Sequence, residues 1–189
     1  TFIGVTAFFR DAEAFAALAK AVAELIRRRE GGEVVRCWVP GCSSGEEVYS
    51  IAMLLEDALH EQGKAGLQYM IFASDLDDKA IEHARQAMYP LAELADVPRR
   101  LRSRCLEVIG DHARVVKSVR NRVVFTRQNV IEDPPFSRMD LISCRNLLIY
   151  FVPAVQKRVL EVFHYALNAD GCLFLGRSES VEQHGSLFA

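Results

Sequence analysis

No C-x-x-C pair occurs in this sequence: its five cysteines, Cys37, Cys42, Cys105, Cys144 and Cys172, are scattered and odd in number, and the histidines keep no metal-ligand spacing beside them. This argues against a disulfide framework or a metal site, and reduced thiols in a cytoplasmic protein are expected. A basic excess is also missing. The formal net charge is -2, with no long run of like charge, which argues against a nucleic-acid partner. No apolar run approaches the ~20 residues of a membrane span, so no membrane insertion is expected, and no signal-peptide pattern opens the chain. Repeats and low-complexity tracts are absent. What is present is 189 residues, 50% of them hydrophobic, which suits one domain with one sizeable core. Starting at Thr1, it reads as a domain excised from a longer protein.

Strand and helix signals alternate along the chain. Asp11 can cap a helix with Phe15, Leu18, Val22, Leu25 and Ile26 at helical spacing, ended by Gly31-Gly32. "VVRCWV" (Val34 to Val39) is a β-branched run. A turn through Gly41 and Gly45 leads to a helix with Val48, Ile51, Leu54, Leu55 and Leu59 inward, which stops near Gly63. "YMIFAS" is the next strand, "DLDDKAIEHARQAM" a capped helix and "PRRLRSR" a further helical stretch. "RVVKSVRNRVVFTR" has two strand-like halves that can pair as a hairpin. "MDLISC" is a continuous apolar run of the kind buried in parallel sheets. After Pro153, a good first-turn residue, Val155, Val159, Val162, Phe163 and Leu167 mark a helix, and Gly171 leads into "CLFLG". This order predicts an α/β fold with an open, mostly parallel sheet covered on both faces.

In such sheets ligands sit outside the carboxyl ends of the strands, at the switch point of the strand order. Polar residues that follow successive strands should therefore meet in one crevice: Glu46 and Glu47, then Asp75, then Asn129, then Arg145 with Asn146. Gly41 and Gly45 let the backbone approach a ligand, with the small Cys42, Ser43 and Ser44 between them. A Walker loop would carry a lysine and a hydroxyl after its last glycine, and the G-x-G-x-x-G spacing is missing. Two glutamates in that position repel a polyphosphate. They suit a cationic nucleoside ligand such as S-adenosylmethionine, whose ammonium and sulfonium come without phosphate, and Asp75 can accept from two ribose hydroxyls. Each residue also has a plain structural role open to it. Acids in a first helical turn are favoured by the macrodipole, Asp75 with Asp77 and Asp78 can cap a helix, and Asn129 can make a turn.

Taken in order, "VTAFFRD", "GCSSGEEVYSIAM", "ASDLD", "QNVIEDPPF", "DLISCRNLLIYF" and "LFLGRSES" resemble the catalytic domain of CheR-type chemotaxis protein-glutamate O-methyltransferases. The match spans nearly the whole chain, and "CRN" followed by "IYF" is not a generic strand pattern. "DPPFSRMDLISCRNLLIYF" and "FHYALNADGCLFLGRSES" look most like the forms found in large fused signalling proteins. The resemblance implies a class I S-adenosylmethionine-dependent methyltransferase fold, Rossmann-like, as one domain over residues 1–189 with a small β-hairpin inserted at about 105–121. It implies S-adenosylmethionine as cofactor, S-adenosylhomocysteine as product and O-methylation of glutamates on the cytoplasmic helices of chemoreceptors, with other domains of a fused protein as further partners. It implies that Thr6 and Arg10 cover the cofactor, Glu47 meets its amino group and Asp75 its ribose. Asn129 and Val130 line the adenine side, Arg145 and Asn146 the floor, and Arg10 and Tyr150 stand at the reaction centre as catalytic residues. Departures from the pattern are Gly4, where asparagine is common, a short stretch around "IGDHARVVKSV" that weakens the docking of a receptor tail peptide, and the end at Ala189 before the antiparallel strands that usually complete the sheet. The small helical domain expected upstream is also missing.

A glutamate side chain ionises at about pH 4.3, so it is already a nucleophile at neutral pH and the site needs no general base. The protein has only to align carboxylate and sulfonium and to exclude water. Arg10 can draw in the carboxylate and the Tyr150 hydroxyl can aim it. Arg99, Arg100, Arg102, Arg104, Lys117, Arg120 and Arg122 can dock an acidic helix or form a solvated face. A reading from another class is a non-catalytic sensory or scaffold module that keeps the cofactor pocket. A nucleotide-dependent dehydrogenase is disfavoured by the turn.

Overall fold

The computed structural model describes residues 6–179 and 188. The elements run α1 (Ala12–Arg28), β1 (Val34–Pro40), α2 (Glu46–Glu61), β2 (Gln68–Asp75), α3 (Asp78–Gln86), β3 (Met88–Pro90), α4 (Arg99–Cys105), β4 (Leu106–Ile109), β5 (His112–Val115), α5 (Lys117–Arg120), β6 (Val123–Arg127), β7 (Met139–Cys144), α6 (Pro153–Ala166) and β8 (Leu167–Leu175). One sheet has the order β6-β2-β1-β7-β8, and every neighbouring pair in it is parallel. Alternate residues of a strand face opposite sides. Val35, Cys37 and Val39 of β1 join the core under α1 and α2, while Trp38 turns to the other face and packs with Val159, Leu160 and Phe163 of α6. Helices therefore cover both faces, as the strand–helix alternation predicts. Among the described residues no helix is long and apolar enough to cross a membrane.

The strand order reverses between β1 and β7. At that point the chain leaves β1 towards one side and β7 towards the other, which opens a crevice at their carboxyl ends. The strands β1, β2, β6 and β7 all end at this edge of the sheet, and the segments that follow them begin there.

The fold corrects three expectations: the helix after Pro153 stops at Ala166, so that Leu167 opens β8 and Gly171 lies within it, and two more concern the segments between β2 and β7. The halves of "RVVKSVRNRVVFTR" do not pair with each other. Of the first half only Arg114 and Val115 are strand, the end of β5, which lies antiparallel between β3 and β4. The second is β6, which runs parallel to β2 from Ile71↔Val123 to Asp75↔Arg127. A tight hairpin needs residues with positive φ at its turn. Lys117–Arg120 forms a helical turn instead, with Val119 buried. The helix predicted through Met88 also ends early, at Gln86, where Ala87 takes a left-handed conformation with φ 53°. Tyr89 precedes Pro90 and so resists the helical region, and Met88–Pro90 becomes an edge strand against β5.

Candidate functional site

The turn after β1 is shaped by three residues with positive φ, Gly41 at 67°, Ser43 at 48° and Gly45 at 94°. It is tied to the end of β2 by two bonds: Cys42 N–H donates to the Ser74 carbonyl at 3.0 Å, and Ser43 N–H to Asp75 Oδ2 at 2.8 Å. The two glycines have different reasons. At Gly41, which lines the crevice, a Cβ would stand 3.1 Å from the Leu147 side chain. At Gly45 it would stand 2.9 Å from both Ala84 Cβ and Tyr89 Oη, so this glycine serves the packing of α3, not the approach of a ligand.

The glutamates part ways for a similar reason. Adjacent helical residues point about 100° apart. Glu46 is buried and accepts from the Ser44 hydroxyl at 2.8 Å, away from the crevice. Glu47 faces into it, accepting from Ser143 Oγ at 2.7 Å and from Arg145 Nη1 at 3.2 Å. This contact bridges the sheet's switch point. Burial pushes the Glu47 carboxyl above its ordinary range, against the opposite pull of Ser143 and Arg145. Arg145 is itself buried between two rings, 5.3 Å from the Phe15 centroid and 4.9 Å from that of Phe174.

Asp75 is not the cap of α3; that is Asp77, which accepts from Lys79 N–H and Ala80 N–H. The Asp75 oxygens take one backbone N–H each, from Ser43 and Asp77, and every carboxylate oxygen has a second lone pair to offer. Asn129 does make a turn: its Oδ1 accepts from Ile131 N–H at 3.0 Å and its Nδ2 donates to Glu132 at 3.0 Å. Its side chain is thereby engaged locally. Phe8 and Phe9 anchor the N-terminal segment, the first edge-on against Tyr89 at 4.9 Å, the second by its N–H to Ser50 Oγ at 3.0 Å. Thr6 and Arg10 on either side are left at the crevice.

All nine expected site residues, Thr6, Arg10, Glu47, Asp75, Asn129, Val130, Arg145, Asn146 and Tyr150, line one cavity of about 1090 Å³. Two adjacent lining residues in the turn after β7, Ile149 and Tyr150, are 46% and 48% exposed. That part of the wall faces solvent, and Tyr150 is no core residue. Gly4 lies outside the described residues.

The basic cluster is largely spoken for. Arg100 and Arg104 meet Asp57 at 2.6 and 2.8 Å, Arg102 donates to the Ala95 and Val97 carbonyls and Arg120 to the Val115 carbonyl. Arg122 stacks over Tyr69. Arg100 and Arg104 thereby tie α4 to α2, and Arg122 lies against β2, while Arg102 and Arg120 bond within their own segment.

Glu179 was not singled out from the sequence. It accepts from four backbone N–H groups, those of Asn146, Leu147, Leu148 and Gly176. Its only sequence signal is its place in "GRSES".

Comparison with known proteins bears on the family of the chain and on its fold. Residues 4–189 match the family model described as CheR methyltransferase, SAM binding domain, SAM being S-adenosylmethionine. The chain is 41% identical over 182 residues to an uncharacterized 104.1 kDa protein of Rhodobacter capsulatus, covering 96% of this chain and 19% of that one. It is 40% identical to a chemotaxis protein methyltransferase of Salmonella typhimurium, covering 93% and 60%, and 33% identical to chemotaxis protein methyltransferase 2 of Vibrio cholerae, covering 98% and 65%. The chain thus spans less than two thirds of the length of these relatives. The solved structure of the DszA carbon methyltransferase shares the fold, with a TM-score of 0.54 at 16% identity, covering 85% of this chain and 33% of that one. With the family model matched from residue 4 to residue 189 over a switch-point cavity that carries carboxylates where a phosphate cradle would need a lysine, the chain belongs to the CheR methyltransferase family, as its S-adenosylmethionine-binding domain.

Proposed function

We propose that this domain, residues 1–189 read as one unit, transfers the methyl group of S-adenosylmethionine to glutamate side chains on the cytoplasmic helices of chemoreceptors. The observation that carries the reading is the division of the cavity. Two carboxylates, Glu47 and Asp75, stand at the strand ends, and the half-exposed Tyr150 with the exposed Arg10 stands on the solvent side. A cationic nucleoside fits the first half, and an incoming carboxylate fits the second.

In this reading Glu47 holds the cofactor's ammonium, with its lone pairs not used by Ser143 and Arg145, and Asp75 holds the ribose. Thr6 covers the cofactor. Asn129 contributes backbone, its side chain being engaged, and Val130 packs on the adenine. Arg145 and Asn146 make the floor. When bound, the cofactor supplies a methyl group on a sulfonium, ready for displacement by a carboxylate oxygen. Arg10 attracts the acceptor carboxylate and keeps it ionised, and the Tyr150 hydroxyl orients it by one hydrogen bond. The chain's part is proximity and the exclusion of water. Chemoreceptor helices of this kind place the reaction in the cytoplasm.

Incubation with methyl-labelled cofactor and receptor cytoplasmic fragments tests the reading. Label should appear as base-labile ester on the receptor, and its absence with every receptor of the host would overturn the assignment. In the same assay Tyr150→Phe keeps the ring and loses the hydroxyl. We expect S-adenosylhomocysteine affinity within about twofold of the parent and turnover lower by roughly tenfold, the worth of one orienting hydrogen bond. Equal turnover would remove Tyr150 from the reaction.

Asp75→Ala loses the acceptor proposed for the ribose together with its two bonds to the loop backbone. Affinity for S-adenosylhomocysteine should drop by at least about tenfold, as for charge-assisted hydrogen bonds of ~1.5–3 kcal/mol each. Titration calorimetry reads it; an unchanged affinity would leave Asp75 as a loop tie alone.

A further inference from the structure

We propose that Glu179 is a positioning residue that holds the solvent-side wall of the cavity, through the backbone of Asn146–Leu148 and thereby Tyr150. Each of its oxygens takes two N–H groups. Oε1 accepts from Leu147 and Leu148 at 2.9 and 2.8 Å, and Oε2 from Asn146 and Gly176 at 2.9 and 2.9 Å. The chain there is built to receive an anion. Asn146 is left-handed with φ 58° and Leu147 right-handed with φ -111° and ψ -47°. Successive residues of opposite hand turn their N–H groups into one concavity, a nest for negative charge. The same N–H groups open the 3-10 turn Leu148–Tyr150, where donors have no partner within the turn.

The fit around the carboxylate is close on its other side as well. A Cβ at Gly176 would stand 2.6 Å from Glu179 Oε2, so this position admits only glycine while the carboxylate stays. Next to it, Arg177 reaches Asp11 at 2.6 Å and Glu13 at 2.8 Å, the residues that follow Arg10 into α1. The short segment Gly176–Glu179 thus touches both chain stretches that carry the proposed acceptor-side groups. Glu179 lines no part of the cavity itself, and so acts through what it holds. An amide in its place would accept at one oxygen only and turn its NH₂ towards the other pair of donors.

The inference rests on the methyl-transfer reading for its effect on turnover, and the experiment separates the two. On the full chain, Glu179→Gln should raise hydrogen exchange at the amides of residues 146–148 by at least about tenfold while amides of β1 stay as in the parent, the pattern of a local opening. Turnover should fall by roughly tenfold or more, with S-adenosylhomocysteine affinity falling less, since misplacing a reacting group costs rate first. Glu179→Asp, which keeps the charge, should recover part of the turnover; it carries the test if the amide variant does not fold. Parent-like protection at residues 146–148 in both variants overturns the proposal. If the parent transfers no methyl group to any receptor, the reaction reading falls, and exchange at residues 146–148 alone decides whether Glu179 holds the wall.

Discussion

Replacing Glu47 with alanine is expected to lower stability by about 3 kcal/mol and to abolish measurable cofactor binding. The stability loss comes from what is left behind. The Arg145 side chain is 3% exposed, and its guanidinium sits between Phe15 and Phe174 with Glu47 as its carboxylate partner. Breaking a buried pair from one side typically costs ~3–5 kcal/mol, because the remaining charge is uncompensated. Ser143, fully buried, loses its acceptor in the same step. The binding loss has a separate cause, the missing countercharge for the ammonium. Glu47→Gln separates the two. It keeps the shape and one acceptor for Ser143, so it should recover part of the stability and little of the affinity. Denaturant unfolding and calorimetry with S-adenosylhomocysteine on both variants read the effects. Parent-like affinity in Glu47→Gln would show that Glu47 is a structural acid alone.

A second large effect is expected at Gly45, and there the cause is steric. Alanine must adopt φ 94°, a conformation that costs an L-residue ~1–2 kcal/mol. Its Cβ must also enter the 2.9 Å gaps to Ala84 Cβ and Tyr89 Oη. Overpacking of this kind costs ~1–3 kcal/mol. Tyr89 donates to the Ser44 carbonyl at 2.7 Å, so the displaced ring would drag the glycine turn with it. Gly45→Ala should therefore lower stability by about 3 kcal/mol. It should weaken S-adenosylhomocysteine binding only through that loss, since Gly45 does not line the cavity. A shift in the urea midpoint worth less than ~1 kcal/mol would mean that α3 can retreat.

These two positions show where legibility in the sequence ends. Both stand in "GCSSGEEV", and the sequence announces both as special. It does not say that Gly41 makes room beside the cavity while Gly45 makes room for α3, nor that Glu47 looks into the cavity and Glu46 does not. The pairing of β6 with β2 was equally hidden, since a β-branched run near another β-branched run reads as a hairpin until long-range partners are known.

By itself the sequence determined the strands of the large sheet and the longer helices around them, the capped α1, the buried character of β7 and the polar residues that follow four of the strands. These are local properties, carried by side-chain periodicity and by the limits on glycine, proline and capping residues within a few positions. Only the tertiary structure decided which of those polar residues share a wall, that most of the arginines before β6 are bound inwards, and that Glu179 holds a loop 31 to 33 residues earlier in the chain. Such contacts depend on how the strands are ordered and which way each side chain leaves its helix. A rotation of about 100° per helical residue and a choice of strand partner across the sheet leave no periodic mark, so the crevice at the switch point, and what turns into it, exists only once the chain is folded.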